Sequence, residues 1–270
     1  MSFDPGAVRA FEHAGWQKAA AQYAATFAAA TREFVAALLD AGAVGPGMAV
    51  LDLCCGTGVV AGAAAARGAS VTGLDFSPAM LAEALAAHPV LRFVEADGEA
   101  LPFPDGSFDA VVSGFGVHHV PRPERALAEA HRVLRPGGRI AFATWAAPAE
   151  NIAWQLLFDA IALHGDPDAV KGPPSGGGLG GAETVLRLLA EGGFVATETE
   201  LVRREWRLAQ PGDLVAALRR GTVRTAALID AQRPAALLAI EAEIARRAGS
   251  HRRDGCYCLP IAAILGCGRR

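Results

Sequence analysis

The sequence has 270 residues, of which 52% are hydrophobic and 20% are charged, and its formal net charge is -3. This composition is typical of a globular protein with one large core, and the lack of a basic block argues against nucleic acid as the main partner. No apolar run reaches the ~18 residues that a membrane span needs, and the N-terminus lacks a basic patch followed by an apolar core, so we expect no membrane span, no secretory signal and a cytoplasmic location.

The first 44 residues are predicted to be helical. Tyr23, Phe27, Ala30 and Phe34 recur at the spacing of one helix face. Gly15 is predicted to divide a short first helix from a longer second one, because glycine is a poor helix former.

Between residues 48 and 145, strands alternate with helices. Short apolar runs predict five strands, at 49–53, 70–74, 90–95, 108–113 and 139–144. Two of the intervening helices begin at Ser77-Pro78 and at Pro123, since proline suits the first helical position and serine is a good N-cap. Strands that alternate with helices of this length predict a parallel sheet with right-handed crossovers.

The alternation changes after Trp145. The glycine- and proline-rich stretch 172–181 is interpreted as a mobile lid that a ligand would order. Around it the pattern predicts helices over 151–163, 183–190, 211–220, 222–231 and 234–247, and strands over 194–208 and 256–265.

The first predicted strand ends in a turn with two glycines. Residues 50–58 read V-L-D-L-C-C-G-T-G, in which Gly56 and Gly58 let the backbone turn sharply and come close to a ligand. A strand, a glycine turn and a helix make a nucleotide-binding half-site. Residues 56–61 also match the G-x-G-x-x-G/A fingerprint of NAD-binding proteins. Asp75 follows at about the sequence separation expected for the acid that contacts the ribose.

Asp52, just before this turn, favours a different ligand. A carboxylate there would repel the pyrophosphate of a dinucleotide, but it would attract the ammonium group of S-adenosylmethionine (SAM), which has no phosphate. Asp75 can accept from both ribose hydroxyls, and Asp97 can accept from the exocyclic amine of adenine. The three acids follow three successive strands, at the edge where open α/β sheets bind ligands.

The cysteines number five, which is an odd count, and none forms a C-x-x-C pair. This pattern favours reduced thiols over a disulfide framework or a zinc site. Two lie in the glycine turn as small residues and two face one side of the last strand, the full set being Cys54, Cys55, Cys256, Cys258 and Cys267.

Five motifs in order resemble those of class I SAM-dependent methyltransferases, and they cover about residues 48–145. The group they resemble is the small-molecule enzymes of the ubiquinone/menaquinone-biosynthesis type. The motifs are V-L-D-L-C-C-G-T-G, G-L-D-F-S-P-A-M-L, E-A-D-G-E-A-L-P-F, F-D-A-V-V-S-G-F-G-V-H-H-V and V-L-R-P-G-G-R-I-A-F-A-T-W.

This resemblance implies a fold and a division of the chain. The fold is a Rossmann-like, doubly wound α/β sheet of seven strands in order 3-2-1-4-5-7-6, with strand 7 antiparallel and a helical cap. Residues 1–44 would form N-terminal helices over the cofactor site. Residues 45–270 would form the SAM-binding domain, with cap insertions at about 147–182 and 209–250.

The resemblance also implies a cofactor, SAM, with S-adenosylhomocysteine as its product. The glycines would pass under the methionine part, the acids would take the ammonium, ribose and adenine amine in chain order, and a backbone carbonyl of the fourth strand would lie near the ammonium. The residues implied in binding are Asp52, Gly56, Gly58, Asp75, Phe76, Met80, Asp97, Gly98, Ser113 and Tyr23.

Each of these residues also has a purely structural interpretation. Asp52 could be a buried acid that the turn amides satisfy, and Phe76 and Met80 could be ordinary core residues. Trp16 and Tyr23 could close over the cofactor or belong to the core of the N-terminal helices.

His118 and His119 follow the fourth strand, near the expected position of the transferable methyl group. A histidine there can take a proton from a phenol or hydroxyl acceptor, which makes both residues candidate catalytic bases. The alternative is that one ring packs against or caps a loop.

The predicted function is SAM-dependent methyl transfer to a small organic acceptor of aromatic, quinone-like or natural-product type, with O- or C-methylation favoured. An apolar lining that suits such an acceptor comes from Trp145, Trp154, Phe158 and Trp206. An NAD-dependent oxidoreductase and a non-catalytic SAM-binding protein remain alternatives, and the oligomeric state, monomer or homodimer, is open.

Overall fold

The computed structural model describes residues 3–170 and 180–270, and its central element is a mixed β-sheet. Its strands follow one another across the sheet in the order β3-β2-β1-β4-β5-β8-β6, with the two-residue β7 paired to β8. Their bounds are β1 Ala49–Leu53, β2 Ser70–Asp75, β3 Arg92–Glu95, β4 Phe108–Gly114, β5 Leu134–Trp145, β6 Val195–Leu208, β7 Arg252–Arg253 and β8 Cys256–Arg269.

Strands β1 to β5 pair in parallel, whereas β8 is antiparallel to both β5 and β6. The expected Rossmann-like α/β sheet is therefore confirmed. The antiparallel strand that was expected as the seventh is β8 here, because the short strand β7 precedes it in the chain. The parallel order brings the carboxyl ends of β1, β2, β4 and β5 to one edge of the sheet.

Helices cover both faces of the sheet and form a cap above its carboxyl edge. No helix of the described segments is long and apolar enough to cross a membrane. The helices are α1 Pro5–Tyr23, α2 Ala28–Arg32, α3 Val35–Ala41, α4 Val59–Ala66, α5 Pro78–Ala87, α6 Pro123–Val133, α7 Ile152–His164, α8 Ala182–Glu191, α9 Gly212–Gly221, α10 Arg224–Asp230 and α11 Pro234–Ala248.

Gly15 does not divide the first helix, contrary to the prediction. Helix α1 runs unbroken through it, and the chain leaves the helix only after Tyr23. A Cβ built at Gly15 would lie 2.3 Å from a methyl group of Val223. Glycine is used here because it lets α1 pack closely against the start of α10, and this gain outweighs its low helix propensity.

Three predicted strands have other bounds in the structure. Strand β5 begins at Leu134 rather than at residue 139, and β8 ends at Arg269 rather than at residue 265. Strand β3 begins at Arg92 rather than at residue 90, because Val90 is 91% exposed and lies in the preceding turn. The predicted lid over 172–181 falls almost entirely on residues 171–179, which lie outside the described residues.

Candidate active site

A cleft of about 1140 Å³ lies at the carboxyl edge of the sheet, beneath α1. Its walls come from the turn after β1, from the ends of β2, β4 and β5, and from the N-terminal helices. Nine of the predicted site residues line it: Tyr23, Asp52, Gly56, Asp75, Phe76, Met80, Asp97, Gly98 and His119. Gly58, Ser113 and His118 do not, although Gly114, next to Ser113, does.

Two non-glycine residues at the cleft adopt left-handed backbone conformations. Cys54, after β1, has φ 57°, and Phe115, after β4, has φ 63°. The two turns touch so closely that a Cβ at Gly116 would lie 2.3 Å from Cys54 Cβ. Such backbone strain concentrates at functional sites, where the surrounding fold holds it. Burial raises the pKa of the Cys54 thiol well above its usual value, so this cysteine is a protonated turn residue.

The carboxylate of Asp52 is fully buried at the cleft, and neither oxygen has a hydrogen-bond partner among the described residues. Burial raises its pKa to about 8; the backbone N–H of Ala61, at the start of α4, acts in the opposite direction, and the nearby Asp75 carboxylate raises the pKa further. The hydroxyls of Thr57 and Ser113 are likewise buried and unpartnered. Since buried polar groups are normally hydrogen-bonded, the two of these side chains that line the cleft, Asp52 and Thr57, indicate a place for a polar ligand. The turn amides do not satisfy Asp52.

Asp75 lies at the end of β2, beside the glycine turn. One oxygen accepts from the backbone N–H of Gly56 at 2.9 Å, and the other accepts from the N–H of Ser77 at 3.0 Å. These bonds hold the carboxylate rigidly, while each oxygen keeps a second lone pair for a ligand. Burial raises the pKa of Asp75, which the two N–H groups partly counter.

Asp97 already has a cationic partner that sequence reasoning missed. Arg9 Nη2, from α1, lies 2.6 Å from Asp97 Oδ2, while Asp97 Oδ1 accepts from the N–H of Glu99 at 3.0 Å. Both members of the ion pair are about one-third exposed, so they lie at the rim of the cleft.

Helix α1 is fastened over the cleft by hydrogen bonds to the start of α5. Gln17 Oε1 accepts from Ser77 Oγ at 2.7 Å and from the N–H of Ala79 at 2.8 Å. One residue earlier, the Trp16 ring meets the His119 ring edge-on, with centroids 4.9 Å apart. Gln17 therefore joins the helix above the cleft to the element that carries Met80.

Glu12 is the main functional residue that sequence reasoning missed. Its side chain is 0% exposed, and its two oxygens lie 2.9 Å from His119 Nδ1 and 2.5 Å from Arg224 Nε. Burial raises the pKa of Glu12, but His119 and Arg224 outweigh it and hold the pKa below the usual value, so the carboxylate is ionised. Because Glu12 occupies Nδ1, Nε2 of His119 is the ring nitrogen left for a ligand.

His118 belongs to a second cavity. Its ring lies 4.2 Å from the His119 ring between centroids, but it lines a space of about 710 Å³ on the other side of Trp145. Nδ1 of His118 is buried without a partner among the described residues, and burial lowers the pKa of His118 well below its usual value. The ring is therefore neutral. Trp206, 1% exposed, is core and lines neither of these two spaces.

Comparison with known proteins shows what part of this chain is similar to. Residues 51–142 match the family model described as a methyltransferase domain. A demethylmenaquinone methyltransferase of Renibacterium salmoninarum is 42% identical over 118 residues, 44% of this chain and 50% of the relative. That of Beutenbergia cavernae is 46% identical over 112 residues, 42% of this chain and 47% of the relative.

Residues 51–142 therefore form a methyltransferase domain. This confirms the resemblance that the motifs carry. The chain spans about half the length of these curated relatives. A solved structure from Anabaena variabilis, assigned to a methyltransferase of an antibiotic pathway, covers 88% of this chain and 98% of its own, with TM-score 0.60 and 22% identity, and it shows the fold.

The residues that sequence reasoning missed lie outside the matched part of the methyltransferase domain. Arg9 and Glu12 precede residue 51, and Arg224 follows residue 142. Glu12 is 107 residues from His119 and 212 residues from Arg224 along the chain. The only local signal for Glu12 was its position: it is a charged residue one helical turn before Trp16, on the buried face of α1.

Proposed function

We propose that this protein transfers the methyl group of SAM to a small organic acceptor. The observation that carries the proposal is the buried, unpartnered carboxylate of Asp52 at the glycine turn. A cationic ammonium group would stabilise the ionised carboxylate, which the protein by itself does not, whereas the pyrophosphate of a dinucleotide offers no positive charge to do so. The alternative of an NAD-dependent oxidoreductase is disfavoured on the same ground.

The other residues of the cleft suit the remaining parts of SAM. Asp75, held by two backbone N–H groups, would take the ribose hydroxyls. Phe76 and Met80 would pack on the adenine, and Asp97 with the Gly98 backbone would bind its polar edge. Gly56, with φ 52° and no atom within 4 Å of a built Cβ, leaves room for the methionine part. Residues 1–44, through α1, would cover the bound cofactor.

When bound, SAM supplies a methyl group on a positively charged sulfur, which is already a good leaving group. The main contributions of the protein would therefore be to align the acceptor with the methyl group and to exclude water from the site. Phe115 and Trp145 stack with centroids 4.1 Å apart, and Trp16 packs on His119. These rings provide the apolar walls around the place where the methyl group would meet the acceptor.

His119 would act as the general base for an acceptor that must lose a proton. Nε2 would take the proton of a phenol or hydroxyl, and Glu12 would hold the ring and stabilise the imidazolium that forms. Arg224 keeps Glu12 ionised for this purpose. His118, in the other cavity, is better placed to contact the acceptor than to take its proton.

An aromatic or quinone-like acceptor, methylated on O or C, agrees best with the walls around Trp145. The demethylmenaquinone methyltransferases named above are relatives over the domain, and their substrate is extended to this chain only as part of this proposal. Calorimetry with SAM, S-adenosylhomocysteine and NADH tests the donor: tight NADH binding without SAM binding would refute the proposal. Methyl transfer from labelled SAM to a panel of phenols and quinols tests turnover, and SAM binding with no turnover would favour a non-catalytic SAM-binding protein.

A further inference from the structure

The second cavity lies beside the cleft and shares one wall with it. We call this 710 Å³ space the acceptor chamber, and its principal lining residues are His118, Trp145, Trp154, Phe158 and Arg224. Trp145 lines both the chamber and the cleft. The chamber and the cleft are therefore adjacent at this side chain.

The walls of the chamber are aromatic. The Trp145 and Trp154 rings lie 4.5 Å apart between centroids at an angle of 44°, and Phe158 is partly buried against the same core. At this spacing the two rings contact each other, so a planar ligand ring would pack against their outer faces and edges and not between them. The shape therefore favours a flat aromatic or quinone-like molecule over an aliphatic chain.

The chamber also has a positive charge. Among the described residues that line it, Arg224 is the one charged side chain. Its Nε is occupied by Glu12, which is fully buried and does not line the chamber, while its two terminal nitrogens have no hydrogen bond within the described part of the chain. A guanidinium presents such paired N–H groups to the two oxygens of a carboxylate.

His118 adds a neutral polar group to the same wall. Its buried Nδ1 lacks a partner, and the neighbouring Asn151 cannot supply one because its amide bonds to Ala146 and Ala262. A buried nitrogen without a hydrogen bond is costly unless a ligand meets it. Two hydrogen-bonding positions are thus left open among aromatic walls: the terminal nitrogens of Arg224 and Nδ1 of His118.

We propose that the acceptor chamber binds an aromatic carboxylic acid, with its ring against the side chains of Trp145 and Trp154 and its carboxylate on the terminal nitrogens of Arg224. This inference rests on the proposed function for the claim that the bound acid is the methyl acceptor. It sets an acceptor class that the apolar walls alone do not define, since a neutral quinone has no carboxylate for the two terminal nitrogens of Arg224, whose Nε is already bonded to Glu12.

The test compares two probes of the same shape on the full chain loaded with S-adenosylhomocysteine. The two probes are 2-naphthoate and its neutral counterpart 2-naphthamide. Calorimetry is expected to show that the acid binds at least about tenfold more tightly than the amide, which is the scale of a charge-assisted pair. Arg224→Gln should abolish the difference. Arg219→Gln is the matched control, because Arg219 is exposed, pairs with Asp230 and lies on the neighbouring helix α9.

Equal affinity for the two probes, binding of neither, or an acid preference that survives in Arg224→Gln would each overturn the proposal. Should Arg224→Gln fail to fold, Trp154→Ala serves in its place: it should weaken both probes alike, and unchanged binding would again overturn the proposal. The donor site is judged separately, because a chain that binds no S-adenosylhomocysteine refutes the proposed function, while the acid preference can still be measured without it.

Discussion

Glu12 Oε2 lies 2.9 Å from His119 Nδ1, and this contact joins the first helix to the turn after β4. A buried, ionised carboxylate against one ring nitrogen sets the orientation of the other nitrogen. The same carboxylate binds Arg224 of the cap, so three distant segments meet at one side chain. In the proposed function this arrangement makes His119, and not His118, the base.

Replacement of His119 by Gln is expected to lower turnover by about 10²–10⁴-fold, the range for a positioned general base. SAM affinity should stay nearly unchanged, because Nε2 would face the acceptor. Steady-state kinetics with a phenolic acceptor, together with calorimetry for SAM, measure both. His164→Gln, on the cap helix α7 and away from the cleft lining, is the control. Full turnover in the His119 variant would make the histidine structural.

Glu12→Gln is expected to give a smaller loss than His119→Gln, since the base remains but its charge partner is gone. If Glu12 acts through His119, the double variant should be no slower than His119→Gln alone. Measuring the turnover of the parent, the two single variants and the double variant completes a double-mutant cycle. If the loss in the double variant equals the product of the two single losses, the residues act independently.

Asp75→Ala is expected to weaken SAM binding by more than tenfold while the fold stays intact. A charge-assisted contact to the ribose is worth about 1.5–3 kcal/mol. Calorimetry measures the affinity, and circular dichroism checks the fold. Asp105→Ala, at a side chain that is 74% exposed, is the control and should change nothing. Equal affinities would show that Asp75 does not take the ribose.

SAM binding is expected to release a proton from Asp52 near neutral pH. Its pKa of about 8 means that the free protein holds the proton at pH 7, whereas an ammonium group favours the carboxylate. Affinity should therefore rise, up to tenfold per pH unit, from pH 6 until roughly pH 8, where an α-amino group begins to lose its own proton. Calorimetry at pH 7 in two buffers of different ionisation enthalpy counts the proton. Asp52→Asn should release none.

The same group makes the ligand-free protein less stable as pH rises. An aspartate with a pKa of 3.8 unfolded and about 8 folded binds more protons in the folded state, so stability falls between about pH 4 and pH 8. Asp52→Asn removes this effect. Its Tm should exceed that of the parent most at pH 8, and the difference should shrink toward pH 4. A difference that does not depend on pH would contradict the high pKa.

Gly15→Ala is expected to destabilise the protein although alanine is the better helix former. The gain in propensity is about 1 kcal/mol, while forcing a methyl group 2.3 Å from Val223 costs about 1–3 kcal/mol in a packed interior. Urea unfolding measures the change. Gly212→Ala, with no atom within 4 Å of its Cβ, should be neutral or stabilising. Adding Val223→Ala should restore part of the loss in the Gly15 variant.

The amino-acid sequence by itself determined the sheet and located the glycine turn and the acidic residues of the candidate site. Alternating apolar runs and helices specify a parallel sheet, and the turn after Asp52 combines two glycines with an acid over a few neighbouring residues. Asp75 and Asp97 follow because each ends or follows a strand of that sheet. These features are local, so spacing and residue type suffice to find them.

Only the tertiary structure decided the acceptor half. Glu12, His119 and Arg224 are far apart in sequence, and no local pattern says that they meet. The two adjacent histidines were equivalent in sequence, yet packing places them in different cavities. Gly15 is a further example within a helix. Glycine is needed there because a methyl group of Val223 occupies the space of a Cβ, and helix propensity carries no information about that contact. Contacts of this kind depend on how α1 and the cap pack on the sheet, and packing is set by the whole chain.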